Sequence, residues 1–109
     1  MVAVTVLTEG GTPVGFRLTG HADQGAYGED IVCAGISAIT QTALLGITDV
    51  LKLDAATAQE EGHLCCELSR DTSPEDMGRA AIVFKTMIAG LTSLQRAYPK
   101  SLKFSYREV

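Results

Sequence analysis

Strand-like runs come in two pairs in this chain, and a long stretch with helical periodicity follows each pair. The first pair, "VAVTVL" (2–7) and "VGFRLTG" (14–20), flanks a Gly-Pro turn; the second, "LDAATAQ" (53–59) and "HLCCELS" (63–69), flanks "EEG". β-Branched or alternating runs about a short glycine-containing turn are typical of β-hairpins. The two hairpins constrain the fold most, because they commit the chain to a largely antiparallel sheet.

Apolar residues at steps of three and four predict a helix after each hairpin. The first set is Val32, Ile36, Ile39, Ala43, Ile47 and Val50. It predicts a helix of about twenty residues, with Asp30 or Glu29 as its N-cap. In the second helix we expect Ser73 to be the cap and Pro74 the first residue, and Pro99 ends the pattern.

A last alternating run, "LKFSYR" (102–107), predicts one more strand and completes the order ββαββαβ. Two helices can cover one face of such a sheet, so we predict an α+β fold: a two-layer sandwich with two helices packed on a largely antiparallel sheet. A chain of 109 residues can bury about 65% of its unfolded surface. We therefore expect residues 1–109 to form a single domain.

Composition narrows the class of partner. A net charge of −4 and a pI near 5.0 argue against nonspecific binding of nucleic acid or of an anionic membrane. We expect no membrane helix, because no apolar run approaches the roughly 18 residues that one needs and no basic segment precedes an apolar one at the amino terminus. We expect a soluble, intracellular protein.

The cysteines indicate free thiols in a reducing compartment. Cys33, Cys65 and Cys66 are odd in number, and the adjacent pair would point to opposite faces of a strand. The region of His63 has no CxxC spacing that would support a zinc site. We expect no metal and no cofactor.

His21 and Cys33 are the candidate catalytic pair, joined by a loop of eleven residues. If Asp30 is the N-cap, Cys33 is the third residue of the helix, where the helix dipole and unpaired N–H groups favour a thiolate. Those N–H groups, including that of Cys33, could hold an oxyanion. His21 could return a proton to the leaving amine. The alternative is a small buried cysteine and an unrelated histidine.

The residues around this pair resemble a known family. "GHA" (20–22), Asp23, Gly25, Tyr27, Gly28 and "DIVCAGIS" (30–37) resemble the ribosomal-processing cysteine protease family, Prp. The resemblance implies a bacterial cytoplasmic endopeptidase that removes an N-terminal extension from the large-subunit ribosomal protein numbered twenty-seven, cutting after a hydrophobic, aromatic-rich segment. It implies that His21 is the general acid/base and Cys33 the nucleophile. It also implies a homodimer.

Three nearby polar residues have open roles. Asp30 could orient His21 or simply cap the helix. Asp23 could also orient His21. Ser37 lies one turn after Cys33 on the same helix face, where it could line the pocket, donate to the site or merely allow close packing.

The glycine-bearing loop is a candidate substrate lid. Gly25 and Gly28 flank Tyr27, and such a segment can close over an extended peptide and exclude water. The alternative is a surface loop with an exposed tyrosine.

Two noncatalytic hypotheses compete with the protease. One is a binding module for a ribosomal protein or an assembly factor. The other is a thiol redox sensor, which requires Cys65 or Cys66 near Cys33 as a resolving thiol.

Overall fold

The elements follow one another in the predicted order ββαββαβ. The structure, a computed structural model, describes residues 1–20 and 27–109, and it describes side chains for 1–20 and 31–109. The elements are β1 Val2–Glu9, β2 Thr12–Thr19, α1 Tyr27–Leu45, β3 Ala55–Glu60, β4 His63–Leu68, α2 Pro74–Ala97 and β5 Leu102–Glu108. A π-helical segment, Gly46–Val50, continues α1.

Within the described residues, five strands form one sheet in the order β3-β4-β2-β1-β5. β5 runs parallel to β1, and the other neighbouring strands are antiparallel. Gly10 and Gly11, both at positive φ, form the turn between β1 and β2, which is the conformation a two-residue hairpin turn of this kind requires. The prediction of a largely antiparallel sheet is confirmed.

Both helices pack on one face of the sheet. In β4 the buried residues Leu64, Cys66 and Leu68 alternate with half-buried ones, so Cys65 and Cys66 point to opposite faces as predicted. Phe16 from β2 and Phe84 from α2 are fully buried, and their rings meet edge to face with centroids 6.1 Å apart. The core therefore lies between the sheet and the helices, in the predicted two-layer α+β arrangement.

The start of α2 follows its sequence signals. The Oγ of Ser73 accepts a hydrogen bond of 3.2 Å from the backbone N–H of Asp76, and Pro74 is the first helical residue. The helix ends at Ala97, before Pro99. These predictions are confirmed. They could be made from the sequence because capping depends on contacts within one turn of helix.

The start of α1 differs from the prediction. The helix begins at Tyr27, so Asp30 lies inside it and is not its N-cap; the same holds for Glu29. Tyr27 and Gly28 belong to the helix and not to the predicted loop. Their role as a substrate lid stays a prediction. Gly25, the remaining lid residue, lies outside the described residues.

One helical stretch, Ile31–Val50, is long and apolar enough to cross a membrane by length and composition, with a mean hydropathy of 1.7. The expectation that no apolar run reaches this length is therefore wrong. The core helix of a soluble protein passes the same test, and Ile36, Ala43 and Ile47 from this stretch are indeed core residues. What remains unusual is the outer face of α1, where Ile31 and Leu45 are exposed.

Candidate active site

Cys33 is a half-buried residue in the second turn of α1, where it lines a cavity of about 440 Å³. The cavity lies between α1 and the end of the sheet formed by the end of β2 and the β3–β4 turn. Its lining comprises Val2, Leu18, Gly20, Cys33, Ile36, Ser37, Thr40, Gln41, Gln59, Glu60, Glu61, Gly62, His63 and Leu64. A cavity of this size is typical of ligand sites in proteins.

The cavity has an apolar inner side and a polar rim. Val2, Ile36 and Leu64 are almost completely buried and form apolar wall. Glu60 at the end of β3 and Glu61 in the β3–β4 turn are exposed. This combination suits an extended peptide whose apolar side chain enters the cavity while its backbone stays at the polar rim.

Two of the polar residues that α1 contributes to the cavity, Ser37 and Gln41, lie in one row with Cys33. Cys33, Ser37 and Gln41 are spaced by four residues, which places them on the same face of the helix. The Gln41 Nε2 donates a hydrogen bond of 2.8 Å to the Ser37 Oγ. Thr40, which is fully buried, instead donates its hydroxyl to the carbonyl of Ile36 at 2.9 Å. The prediction that Ser37 lies on the helix face of Cys33 is confirmed, and its catalytic role stays a prediction.

A backbone hydrogen bond ties the β3–β4 turn to the end of β2. The N–H of Gly20 donates to the carbonyl of Gly62 at 3.0 Å, and both glycines have positive φ. Gly20 immediately precedes His21, so this bond fixes the point from which the histidine-bearing segment leaves the sheet. His21 and Asp23 lie outside the described residues, and their pairing with Cys33 stays a prediction. The side chain of Asp30 is likewise outside the description.

Because α1 starts earlier than predicted, the N–H of Cys33 is not the oxyanion donor that the sequence suggested. Only the first four N–H groups of a helix lack an intrahelical acceptor, and Cys33 is the seventh residue of α1. Its N–H is therefore engaged in the helix and cannot hold an oxyanion. The dipole also acts mainly on the first turn, which ends before Cys33. Any donor to an oxyanion must come from elsewhere around the cavity.

The other two cysteines are separate from this cavity. Burial, and secondly the neighbouring Cys65, raise the pKa of Cys66 to about 11, so Cys66 remains a thiol at neutral pH. Cys65 is half-buried on the opposite face of the sheet, beside Arg17 and Ala58. Neither thiol lines the Cys33 cavity, which disfavours the redox-sensor hypothesis.

Sequence reasoning missed several residues that line this cavity. His63 had no assigned role beyond an unsupported metal site, yet it lines the cavity with Cys33. Gln41 could have been found by extending the step of four from Cys33 through Ser37. His63 and Glu61 could not, because they reach the cavity only through the pairing of β4 with β2. Among the side chains that the structure describes, those of residues 1–20 and 31–109, no three His, Cys, Asp or Glu residues group as a metal site.

Comparison with known families decides the class of protein. The family model described as "Cysteine protease Prp" matches residues 1–103. This chain belongs to the Prp family of cysteine proteases. It is therefore a cysteine peptidase, and the prediction made from "GHA" and "DIVCAGIS" is confirmed at the level of the family and its activity.

Curated Prp relatives cover most of the chain. The ribosomal processing cysteine protease Prp of Staphylococcus aureus is 32% identical over 93 residues, or 83% of each chain. The protein of that name from Bacillus subtilis is 29% identical over 94 residues, covering 81% of this chain and 80% of its own.

Solved structures share the fold. The Prp of Staphylococcus aureus, described as an essential ribosomal processing protease in complex with a substrate peptide, superposes with a TM-score of 0.82 at 24% identity, covering 98% of this chain and 100% of its own. The same Prp with a covalently linked product peptide gives 0.80 at 25% identity, with the same coverage. A Streptococcus mutans protein gives 0.81 at 24% identity, covering 100% of this chain and 96% of its own.

Proposed function

We propose that this Prp-family protein is an endopeptidase that removes the N-terminal extension of large-subunit ribosomal protein twenty-seven. Cys33 is the nucleophile, and His21 is the general acid/base. The observation that carries the proposal is the position of Cys33 on the wall of a cavity with an apolar interior and a polar rim, in a chain of this family. The relatives named for ribosomal processing support the substrate class.

The chemistry is an acyl transfer in two steps. The Cys33 Sγ anion forms a bond to the scissile carbonyl carbon, and the carbonyl π electrons move to the oxygen. When that oxyanion collapses, the C–N bond breaks and protonated His21 gives its proton to the leaving amine. A water molecule, deprotonated by His21, then hydrolyses the thioester and releases Cys33. A Prp relative with a covalently linked product peptide supports covalent catalysis.

The cavity suits a hydrophobic residue on the acyl side of the cut. Val2, Ile36 and Leu64 offer it apolar wall, and about 440 Å³ is ample for one aromatic side chain and adjoining backbone. Asp30 orients the imidazole of His21 in this proposal, and Ser37 contributes a hydroxyl to the site.

The test is cleavage of the extended precursor by purified variants, with the product mass measured. Cys33→Ala should lower kcat by more than about 10⁴-fold, because the covalent route is lost. Cys65→Ala is the matched control: it removes another half-buried thiol outside the cavity and should keep kcat within about threefold. Cleavage by Cys33→Ala at the wild-type rate would contradict the nucleophile assignment. A precursor of another ribosomal protein that is cleaved in preference to the proposed one would contradict the substrate.

The outer face of the helix layer supports a homodimer as the working assembly. From Ile31 to Thr48 α1 and its π-helical continuation contain no charged residue, although outer helix faces are ordinarily polar. A groove of about 570 Å³ runs between the helices there, lined by Ala38, Ile39, Thr42, Ala43, Gly46, Ile82, Val83, Thr86, Met87 and Gly90. Ile82, at the edge of this lining, has 69% of its surface exposed.

A second copy of this chain is the occupant that fits. An exposed apolar side chain and an apolar groove on the same face can be self-complementary, which is what a two-fold interface requires. A net charge of −4 makes an anionic membrane a poor alternative. Ile82→Glu should turn the dimer into a monomer in sedimentation, whereas Tyr106→Glu, which changes a similarly exposed residue on β5, should leave it dimeric. A monomeric wild type, or a dimer that persists in Ile82→Glu, would contradict this interface.

We place the activity in the cytoplasm, where ribosomal proteins are made. Fractionation of the source cells, with detection of the protein in the soluble or the membrane fraction, tests this localisation. Recovery with the membranes would contradict it and would direct attention to the apolar face of α1.

A further inference from the structure

The early start of α1 leaves the oxyanion without the N–H donor that the sequence indicated. Cys33 is two turns into the helix, and its N–H is engaged there. Attack on a carbonyl still places negative charge on the oxygen, and a fixed donor at that position is a large part of catalysis in acyl transfer. A side-chain hydroxyl or amide on the cavity wall is the natural substitute.

Ser37 is the hydroxyl that best meets this requirement. Its Cα is four residues after that of Cys33, so the two Cβ atoms of such a pair are about 5–6 Å apart. Helical side chains also tilt toward the amino terminus, which carries the Ser37 hydroxyl over the turn that holds Cys33. Both residues line the same cavity.

The hydrogen bond from Gln41 determines which way the Ser37 hydroxyl can act. A serine hydroxyl has one proton to donate and two lone pairs to accept. The Gln41 Nε2 donates to the Ser37 Oγ at 2.8 Å and so occupies a lone pair. Within the described part of the chain, the hydroxyl proton has no acceptor of its own, so it is free to point into the cavity.

We infer that Gln41 is a positioning residue, whose amide holds the Ser37 hydroxyl ready to donate to the carbonyl oxygen of the scissile peptide. The inference rests on the proposed function. When the Cys33 Sγ bonds to the carbonyl carbon, the oxygen gains the electron pair, and the Ser37 hydroxyl stabilises it without transferring its proton. When the C–N bond breaks, the electron pair returns to the C–O bond.

Gln41→Glu is the sharpest perturbation, because it has nearly the same shape but replaces the donor by an acceptor. A carboxylate at position 41 would accept the Ser37 proton and turn it away from the substrate. We expect kcat to fall by ~100-fold with KM within about threefold, since a lost oxyanion donor costs ~10²–10³-fold. Gln41→Lys keeps a donor at this position and should retain kcat within about fivefold.

Two further variants separate positioning from structure. Gln95→Glu is the matched control: it removes an equivalent Nε2 donor, which bonds the carbonyl of Leu102 at 2.9 Å away from the cavity. It should lower Tm and leave kcat unchanged. In a Ser37→Ala background, Gln41→Glu should cause no further loss of kcat.

The outcomes are distinguishable. Wild-type kcat in Gln41→Glu, an equal loss in Gln95→Glu, or an additional loss in the Ser37→Ala background would each overturn the role of Gln41. If Cys33→Ala is inactive while Gln41→Glu behaves as wild type, the positioning role fails and the proposed function stands. If Cys33→Ala still cleaves the precursor, the proposed function fails first.

Discussion

Gly20 lies between the end of β2 and His21, and its replacement by alanine tests whether the backbone there positions the site. Its φ of +98° is a conformation that other residues rarely adopt, and an added Cβ would lie 2.6 Å from the carbonyl oxygen of Met1. Because real Cβ contacts are not closer than 3.0 Å, the end of β2 or the start of β1 must move by at least about 0.4 Å. The backbone strain alone is worth about 1–3 kcal/mol.

Two measurements follow from these numbers for Gly20→Ala. A loss of about 2 kcal/mol corresponds to a fall in Tm of about 8–10 °C for a domain of this size, measured by calorimetry. We also expect kcat/KM to fall by about 10–100-fold at a temperature where the variant is folded, because Gly20 precedes His21 and a misplacement of 1 Å can cost about 100-fold.

Gly11→Ala is the matched control for this experiment. Gly11 has a φ of +82°, lies at the far end of the sheet in the β1–β2 turn, and has no atom within 4 Å of an added Cβ. It should lose stability from its φ while keeping wild-type kcat/KM. The reasoning is refuted if Gly20→Ala cleaves as fast as Gly11→Ala when both are folded.

Two more predictions concern groups with shifted pKa values. Since the pKa of Cys66 is about 11, its thiolate fraction at pH 7.5 is on the order of 3 in 10,000. Mass spectrometry of the alkylated native protein should therefore detect the label only at the other thiols, and at Cys66 only after unfolding. Labelling of native Cys66 as fast as Cys65 would contradict this. The pKa of the Glu108 carboxylate is lowered by hydrogen bonds from the N–H of Gly10, the hydroxyl of Thr8 and the N–H of Gly11, in order of decreasing effect. The ionised carboxylate therefore stabilises the folded protein above the ordinary glutamate pKa of about 4.3. This stabilisation is lost as the pH falls through the pKa of the folded state. The difference in unfolding free energy between wild type and Glu108→Gln should therefore shrink from pH 7 to pH 3, and a constant difference in chemical denaturation would count against it.

Features of secondary structure that depend only on neighbouring residues could be predicted from the sequence. Alternation in β4 places Leu64 and Cys66 toward the core, and the Ser73 cap with Pro74 marks the start of α2. Each of these depends on residues within a few positions, where side-chain period and hydrogen-bonding capacity act directly. The start of α1 was not predictable in this way. Helix propensities differ by less than about 1 kcal/mol between most residues, so a helix can extend past a possible cap such as Asp30.

The candidate site was predictable only in part. Cys33 and Ser37 share a helix face by spacing alone, and the likeness to Prp came from short motifs around them. The residues opposite that helix face belong to distant parts of the chain. Val2 and Leu64 reach the cavity because β1 pairs with β2 and β2 pairs with β4. Sequence spacing carries no information on which strand lies beside which.

By itself, the sequence determined the order of elements, the side of β4 that faces the core, and the family, because these depend on periodicity and on short runs of residues. The tertiary structure alone decided what surrounds the Cys33 thiol. The pairing of β2 with β4 brings Gly62 of the β3–β4 turn and His63, the first residue of β4, against the end of β2. That proximity joins residues more than forty positions apart, and packing of the whole sheet against α1 is the physical interaction that creates it.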